Sequence, residues 1–472
     1  MAIPNIMNTG RSGMVAAKAA IATTGHNVAN ANTAGYSRQR VETSTDRPQA
    51  IGGNAVIGTG TSVRRVDRVN DEYIEKQLRN SGRELAHMEE KDLVLKQTED
   101  VFNEMGGEGL NRLMSRFFNE FRKLGNEPNN EAIRESVREA SQAMCNDFHR
   151  LRSEVEDVRK HIDARIEGNC GEINALAVEI KDLNMKIKTT EMGGAHPNDL
   201  YDSRDNALKK LATYMDLSMH KDGEGNYIVD VKGVGPLVAG PVTTEFNVFR
   251  SGADSQGKPE AAYDVKTSAS AAGVVTHQVK GGKLGALLQT RDETLSTILD
   301  RLDELAVNVS SSVNGIHSQG FTRNGEQGID FFSPVTQKER AAEFIDLSDH
   351  VKDSVNNIAT AAVPDAPGDN RVAIAISGIQ SMHLLNEGKA TMDDFFNSIV
   401  SDVGVASARN KSAMNQQKDI NTQLGKMRDQ ISGVSIDEET TNLLQYQHAF
   451  DASAKVIQVA DEMLKTVLEL KR

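Results

Sequence analysis

Residues 438–472 read EETTNLLQYQHAFDASAKVIQVADEMLKTVLELKR, and this stretch decides the fold. Leu443, Tyr446, Phe450, Ser453, Ile457, Ala460, Leu464 and Val467 recur at alternating spacings of three and four, the seam of a coiled coil. No Gly or Pro interrupts it. Chain ends fray unless something ties them down, so a seam placed here needs a partner. The first thirty residues offer one, because Met7, Gly10, Met14, Ala17, Ile21, Thr24 and Val28 follow the same rhythm. Both ends are therefore expected to pack, on each other or on neighbouring copies. Spacing alone is met equally well by two amphipathic helices on an ordinary core.

Outward from the ends, the first helix stops at Asn32 to Pro48, where Gly35 breaks it and the following residues alternate like a strand. Asn54 to Val66 is a second extended stretch, expected to pair with the first as a hairpin-like spur. Helix returns from Asp67 to Glu104 and ends at Gly106, Gly107 and Gly109. A short helix follows, with Leu110, Leu113, Phe117, Phe121 and Leu124 on one face. A tract from Asn130 to about Thr190 carries a stripe from Val155 to Ile187. Unbroken, it would reach about 90 Å at 1.5 Å per residue, with Gly168 and Gly171 as expected points of bending or splitting. After Met192 to Pro197 comes a helix from Asn198 to Tyr214.

The texture changes at Leu217. Short β-branched runs separated by Asp222–Asn226 and other turn residues predict a small β domain, with an exposed loop from Arg250 to Pro259. Helix resumes near Gly282 with a seam from Leu295 to Ile316. An irregular Gly- and Pro-containing segment runs from Phe321 to Asp369. Helices are predicted for Arg371 to Asn386 and Met392 to Arg428, and Gly433-Val434-Ser435 precedes the terminal helix. The fold class is mainly α with an inserted all-β domain, an elongated multi-domain chain of helical layers built from both ends. The expected domains are 1–50 with 434–472, a terminal coiled-coil core; 51–215 with 281–433, a helical rod containing the irregular segment 321–369; and 216–280, the β insertion.

The 472 residues are too many for one compact core. Aromatics are only 4%, which favours helical rods over a thick globule. The net charge of −13 argues against nucleic-acid binding, since phosphate affinity comes from clustered Lys and Arg. No apolar run approaches the ~20 residues that span a bilayer, so no membrane insertion is expected. The N-terminus lacks the basic and apolar regions of a cleaved secretory signal, which leaves a cytoplasmic protein or one exported by another route. Cys145 and Cys170, if on one helix, lie about 37 Å apart, too far to bridge, and read as buried thiols.

The search for chemistry yields no catalytic, cofactor or metal site. The histidines are scattered, and no H-E-x-x-H or C-x-x-C spacing occurs. Gly233-Val234-Gly235-Pro236 lacks the lysine of a phosphate loop and reads as a turn, and Asp222–Asn226 lacks the later Glu of a calcium loop. Asp199, Asp202, Arg204 and Asp205 crowd the start of a helix, where a structural cap is the simpler account than a catalytic carboxylate pair.

Val28 to Gln39, VANANTAGYSRQ, resembles the signature of bacterial flagellar axial proteins. In that resemblance Asn30 and Asn32 tolerate left-handed backbone and bond their own main chain, Gly35 supplies the break, and Tyr36 anchors the departing strand. Ser432 to Arg472 resembles the flagellar hook-associated protein 1 family, the hook–filament junction proteins. Pro197 to Leu208 (PNDLYDSRDNAL), Gly281 to Leu284, Val313 to His317, Phe331-Phe332 and Gly368 to Asn370 match it as well. The resemblance implies a non-enzymatic structural protein of the bacterial flagellum, exported through the flagellar type III apparatus and extracellular. It implies partners: itself in a ring, the hook protein, the second junction protein next to the filament, and an export chaperone at the C-terminal helix. Met7, Met14, Ile21, Val28, Leu443, Tyr446, Phe450, Ile457, Leu464 and Val467 are the expected assembly interface. Asn30, Asn32, Gly35 and Tyr36 form the expected inter-domain turn. Other readings are a hook or rod component, sharing the N-terminal signature, an adhesive module working through the β domain, and an enzyme with an unrecognised site there.

Overall fold

A computed structural model describes residues 2–52, 55–102, 109–223, 227–250, 263–268, 273–335, 337–366 and 368–469. The predicted features at Gly106, Gly107, 224–226 and 251–259 lie outside these residues. The chain opens with α1 (Ala2–Ala29), then a ribbon of β1 (Gln39–Thr45), β2 (Gln49–Gly52), β3 (Ala55–Ile57) and β4 (Thr61–Arg68). β1 pairs antiparallel with β4, with a bulge at Glu42/Thr43, and β2 with β3 closes the tip. This is the expected hairpin, but it does not project freely. It lies back along α1, where the Thr61 N–H donates to Ser12 Oγ at 3.2 Å and Asn5 Nδ2 donates to Gln49 Oε1 at 2.8 Å.

Four helices follow: α2 (Glu72–Phe102), α3 (Leu110–Asn126), α4 (Glu131–Met192) and α5 (Asn198–Tyr214). α2 starts later than the sequence predicts because Asp67 and Arg68 remain in β4. α4 runs 62 residues without the split expected at Gly168 and Gly171. A mid-helix glycine costs about 1 kcal/mol against alanine, whereas Ile166, Cys170 and Ile173 beside them are buried and each contributes more. Asn130 caps the helix, its side chain accepting from the Ala132 and Ile133 N–H groups. Cys145 and Cys170 both sit buried on α4, unbridged. Burial pushes both thiols up, Cys170 to about 12, so they stay protonated and inert.

The β insertion is an antiparallel meander of β5 (Leu217–Lys221), β6 (Tyr227–Val231), β7 (Gly235–Ala239) and β8 (Val242–Thr243), with a separate pair, β9 (Phe246–Arg250) and β10 (Tyr263–Thr267). Val229, Val231, Leu237, Val238, Phe246 and Val265 point into the core that α4 and its neighbours supply. α6 (Gly282–Gln289) leads through one π-helical stretch, Thr290–Leu295, into α7 (Ser296–His317). Short α8 (Ala341–Phe344) and α9 (Asp349–Asp353) interrupt the irregular segment. The helix predicted over Arg371 to Asn386 is only α10 (Arg371–Gly378) plus a 3₁₀ turn to Ser381. The chain then has to fold back so that Leu385 pairs with Ala390, and Asn386 and Glu387 take left-handed backbone to do so. α11 (Met392–Ser432) opens on a capping box of Thr391 and Asp394 and packs along α2. α12 (Ile436–Glu469) packs along α1.

The few aromatics are concentrated. Phe117 and Phe121 on α3 meet Phe331 and Phe332 edge-on or tilted at ring separations of 5.3–5.9 Å, and all four are fully buried. Fully burying each such side chain is worth about 2–3 kcal/mol. The knot ties α3 to the irregular segment, whose Phe331 and Phe332 backbone is held by the Asn314 side chain of α7.

Candidate assembly interface

α1 and α12 form an antiparallel pair. Gly10 faces Ser453 and Ile457, Gly13 faces Ser453, and Asn27 faces Glu439. A Cβ on Gly10 would lie 2.7 Å from Ile457 Cγ1, so the glycine is what lets the helices approach this closely. The buried line of α1 is Gly10, Ala17, Ala20, Thr24 and Asn27, with Met7, Met14 and Ile21 half-buried along its flanks. On α12, Leu443, Tyr446, Phe450, Ile457 and Leu464 are half-buried and Ala460 is buried. These predicted positions are thus brought together, within one chain.

Two predicted residues are not. Val28 is exposed, because the stripe passes from Thr24 to Asn27 and turns Val28 outward. Val467 is exposed because the antiparallel register carries Leu464 to the start of α1, leaving Val467 beyond it. Val467 belongs instead to a second apolar stripe on α12, with Ala452, Val456, Val459 and Met463, at spacings of three and four. Val459 and Met463 are 48% and 47% exposed, and Val456 at the stripe's edge still touches Gly10. The helix therefore has one apolar face occupied by α1 and an adjoining one uncovered. Ile420, Met427 and Ile431 on α11 are exposed in the same way.

At the far end of the pair the chain makes a polar joint. Gly35 is the one left-handed residue in the turn, at φ 77°, and a Cβ there would overlap the Asn206 side chain. Asn30 and Asn32 do not take left-handed backbone. The first turn, closed by Thr33 N–H to Asn30 O, needs no positive φ, and the second, closed by Tyr36 N–H to Thr33 O, places its one positive φ at Gly35. Asn30 bonds back to His26 O as expected, and Asn32 is exposed. Tyr36 is buried and donates to Asn27 Oδ1 at 2.8 Å. Asn27 Nδ2 donates to Gln39 O and to Glu439 Oε2, and Arg38 sits 2.7 Å from the other Glu439 oxygen. Burial, then Asp199, Asp202 and Glu439, hold the Tyr36 hydroxyl far above its ordinary range, so it remains a donor.

The mid-chain acidic cluster completes this joint instead of capping its own helix, whose N-cap, Pro197, offers no side-chain acceptor. Asp202 accepts from the Ser37 N–H at 3.0 Å and from Arg68 at 2.7 Å. Asp205 also holds Arg68, Asp199 accepts from Gln39, and Asn206 donates to Ala34 O. Burial raises the Asp202 carboxyl, with Arg68 and Ser37 opposing it. Burial works against the Arg68 guanidinium, but Asp205 and Asp202 keep it charged. From α11, Arg428 donates to Tyr36 O and pairs with Glu75, and the Arg38 N–H donates to Ser432 O. Asn27, Arg38, Glu439, Asp202, Arg68 and Arg428 were not predicted as site residues. Asn27 left one signal, a polar residue on the buried line of an otherwise small and apolar helix face, the device that fixes register in helical pairs.

Among the described residues no cluster of His, Cys, Asp and Glu is placed to hold a metal ion, and no helix is long and apolar enough to cross a membrane.

Residues 95–332, half of the chain, match the family described as the flagellar hook-associated protein FlgK helical domain. Residues 7–36 match the flagella basal body rod protein family, and 429–470 the C-terminal family of the basal body rod FlgEFG proteins. The chain is 29% identical to flagellar hook-associated protein 1 of Bacillus subtilis, covering 98% of this chain and 97% of that one. It is 25% identical to the protein of the same name from Salmonella typhimurium, over 99% and 100%. Among solved structures, the flagellar hook junction protein FlgK from Burkholderia pseudomallei shares the fold, with a TM-score of 0.66 at 14% identity, covering 75% of this chain and all of that one.

Proposed function

The chain belongs to the flagellar hook-associated protein family defined by the FlgK helical domain, and on that premise we propose that its copies form a ring at the distal end of the hook, joining hook to filament. It is a structural protein of the bacterial flagellum. The observation that carries the ring is the double face of α12: one stripe is filled by α1 of the same chain, and the adjoining stripe of Val456, Val459, Met463 and Val467 is left for a second copy. Burying such a stripe at about 25 cal/mol per Å2 supplies the drive for stacking.

In this reading residues 1–50 with 434–472 form the inner layer, 51–215 with 281–433 the rod layer, and 216–280 the outer insertion. The ribbon up to Arg68 rides on the first layer. Asn30, Asn32, Gly35 and Tyr36 mark the passage between layers. Ring neighbours, the hook protein and the second junction protein are the partners, and a chaperone holds the α12 stripes before export to the cell exterior. The match to rod families is confined to the two ends, whereas the helical-domain match spans the middle, which favours the junction over a rod position. Disrupting the gene tests the reading. Electron microscopy should show hooks without filaments, with filament subunits lost to the medium. Missing hooks would move the protein down the axis, and normal flagella would overturn the assignment.

A further inference from the structure

A cavity of about 520 Å3 lies between α2, α5 and the first strands of the β insertion, and it shares Tyr201, Arg204, Lys221 and Tyr227 with a neighbouring cavity of about 260 Å3. Its charge runs against that of the chain, which is −13 overall. Some of its basic residues are already paired: Arg68 with Asp202 and Asp205, Arg83 with Glu84 and Asp216, and Lys232 with Asp216. Glu75 is likewise taken by Arg428. What faces the cavity beyond these pairs is Lys76, Arg79, Arg204 and Lys221 against Glu72.

Two of these arginines are short of partners. Arg204 is 8% exposed and stacked between Tyr227 and Tyr201, at 4.2 and 5.4 Å from the ring centres. Among the described residues its hydrogen bonding is one 3.4 Å contact to Asn184 Oδ1. Its buried Nε has no hydrogen-bond acceptor, and Asp205 stands off at 4.0 Å. Arg79 Nε is also buried without an acceptor. A buried donor left unpaired costs about 1–3 kcal/mol, and two guanidinium groups facing one cavity repel. The repulsion is relieved by one ligand type, a small oxyanion seated among these basic side chains and able to accept several charge-assisted hydrogen bonds at once.

We propose that this cleft is a binding site for a small oxyanion of the phosphate or carboxylate class, held by Arg79 from α2 and Arg204 from α5, with Lys76 and Lys221 adding charge. The bound anion bridges α2 to α5 beside the β insertion, and the two tyrosine rings keep Arg204 oriented toward it.

The test is calorimetric titration of inorganic phosphate into the full chain, in chloride buffer of matched ionic strength, with Arg79→Gln and Arg204→Gln alongside. Saturable binding is expected. Each variant should bind about tenfold more weakly, the fold-change for one charge-assisted hydrogen bond. Because Arg79 Nε has no partner to lose, Arg79→Gln should fold as well as the parent chain, and it decides the matter even where Arg204→Gln is unstable. Phosphate also stabilises proteins without binding, by exclusion from their surface. An unsaturable effect, or affinity unchanged in the folded variants, would overturn the site.

Discussion

Replacing Asn27 by Leu tests whether the polar joint locks the chain ends together. Asn27 is 1% exposed and uses its full capacity. Nδ2 donates to Gln39 O at 2.9 Å and to Glu439 Oε2 at 3.0 Å, while Oδ1 accepts from the Tyr36 hydroxyl at 2.8 Å and the Gln39 N–H at 2.9 Å. Leucine keeps the volume and makes none of these bonds. A neutral hydrogen bond contributes about 1 kcal/mol net and one to a charged group about 1.5–3 kcal/mol. Arg38 continues to compensate Glu439, so the charge is not orphaned. The loss is at least about 4 kcal/mol, roughly a thousandfold or more in the equilibrium for opening the joint. Hydrogen exchange reads that equilibrium directly. In Asn27→Leu, amides of α1 and α12 near the joint should exchange about a thousandfold faster, or as fast as their present protection allows, while amides around Phe117 and Phe331 serve as an unchanged reference. Equal protection of α1 and α12 in variant and parent would refute the reasoning.

Three further changes probe other parts of the molecule. His317 is buried and neutral: Nε2 accepts from the Ala359 N–H at 2.8 Å, so Nδ1 carries the proton and donates to Ile329 O at 2.7 Å. Burial pushes its pKa down to about 4 from 6.5, so its stabilisation is present above pH 6.5 and is lost as pH falls toward 4. Between pH 8 and pH 5 the loss is about 2 kcal/mol, and denaturant titrations of His317→Gln should lack that component. Gly35→Val places a branched side chain at φ 77° and onto Asn206, costing at least about 2 kcal/mol; limited proteolysis should cut faster at residues 30–38, and motility should fall. Val459→Asp, on the uncovered stripe, should melt within about 0.5 kcal/mol of the parent yet fail to assemble, as seen by sedimentation and by loss of swimming. Swimming cells carrying Val459→Asp would remove the stripe as an interface.

The helical layers were legible because periodicity is a local property. α3, α4, α5 and α12 lie within a few residues of where the apolar spacing puts them, since each must hide a face along its whole length. The errors arose where a distant contact outweighs local preference. The Asp199–Asp205 cluster looks like a cap at the sequence level, yet its carboxylates hold Ser37 and Gln39, 160–165 residues away. Glu439 reads as an ordinary acidic first-turn residue and is instead buried against Asn27 and Arg38. The apolar seam of the terminal helices was found as a pattern, but which of its faces is spent within the chain was not, because spacing shows that a face is apolar without showing what covers it.

The α1–α12 pair is held unevenly, and this connects its structure to its role. Near the joint, Asn27, Tyr36, Arg38 and Glu439 fix the register with directional bonds, and α11 braces the turn through Arg428. Toward the other end the contact rests on Gly10, Gly13 and Ala17, which permit close approach but bury little apolar surface. On α12 the only apolar side chain fully buried among the described residues is Ala460. A helical pair of that kind is anchored at one end and weakly cohesive at the other, since helices in proteins draw most of their stability from packing. Filling the Val456–Val467 stripe with a neighbouring copy would supply the missing burial where it is scarcest. Stability of the far end should therefore depend on protein concentration, while that of the joint should not.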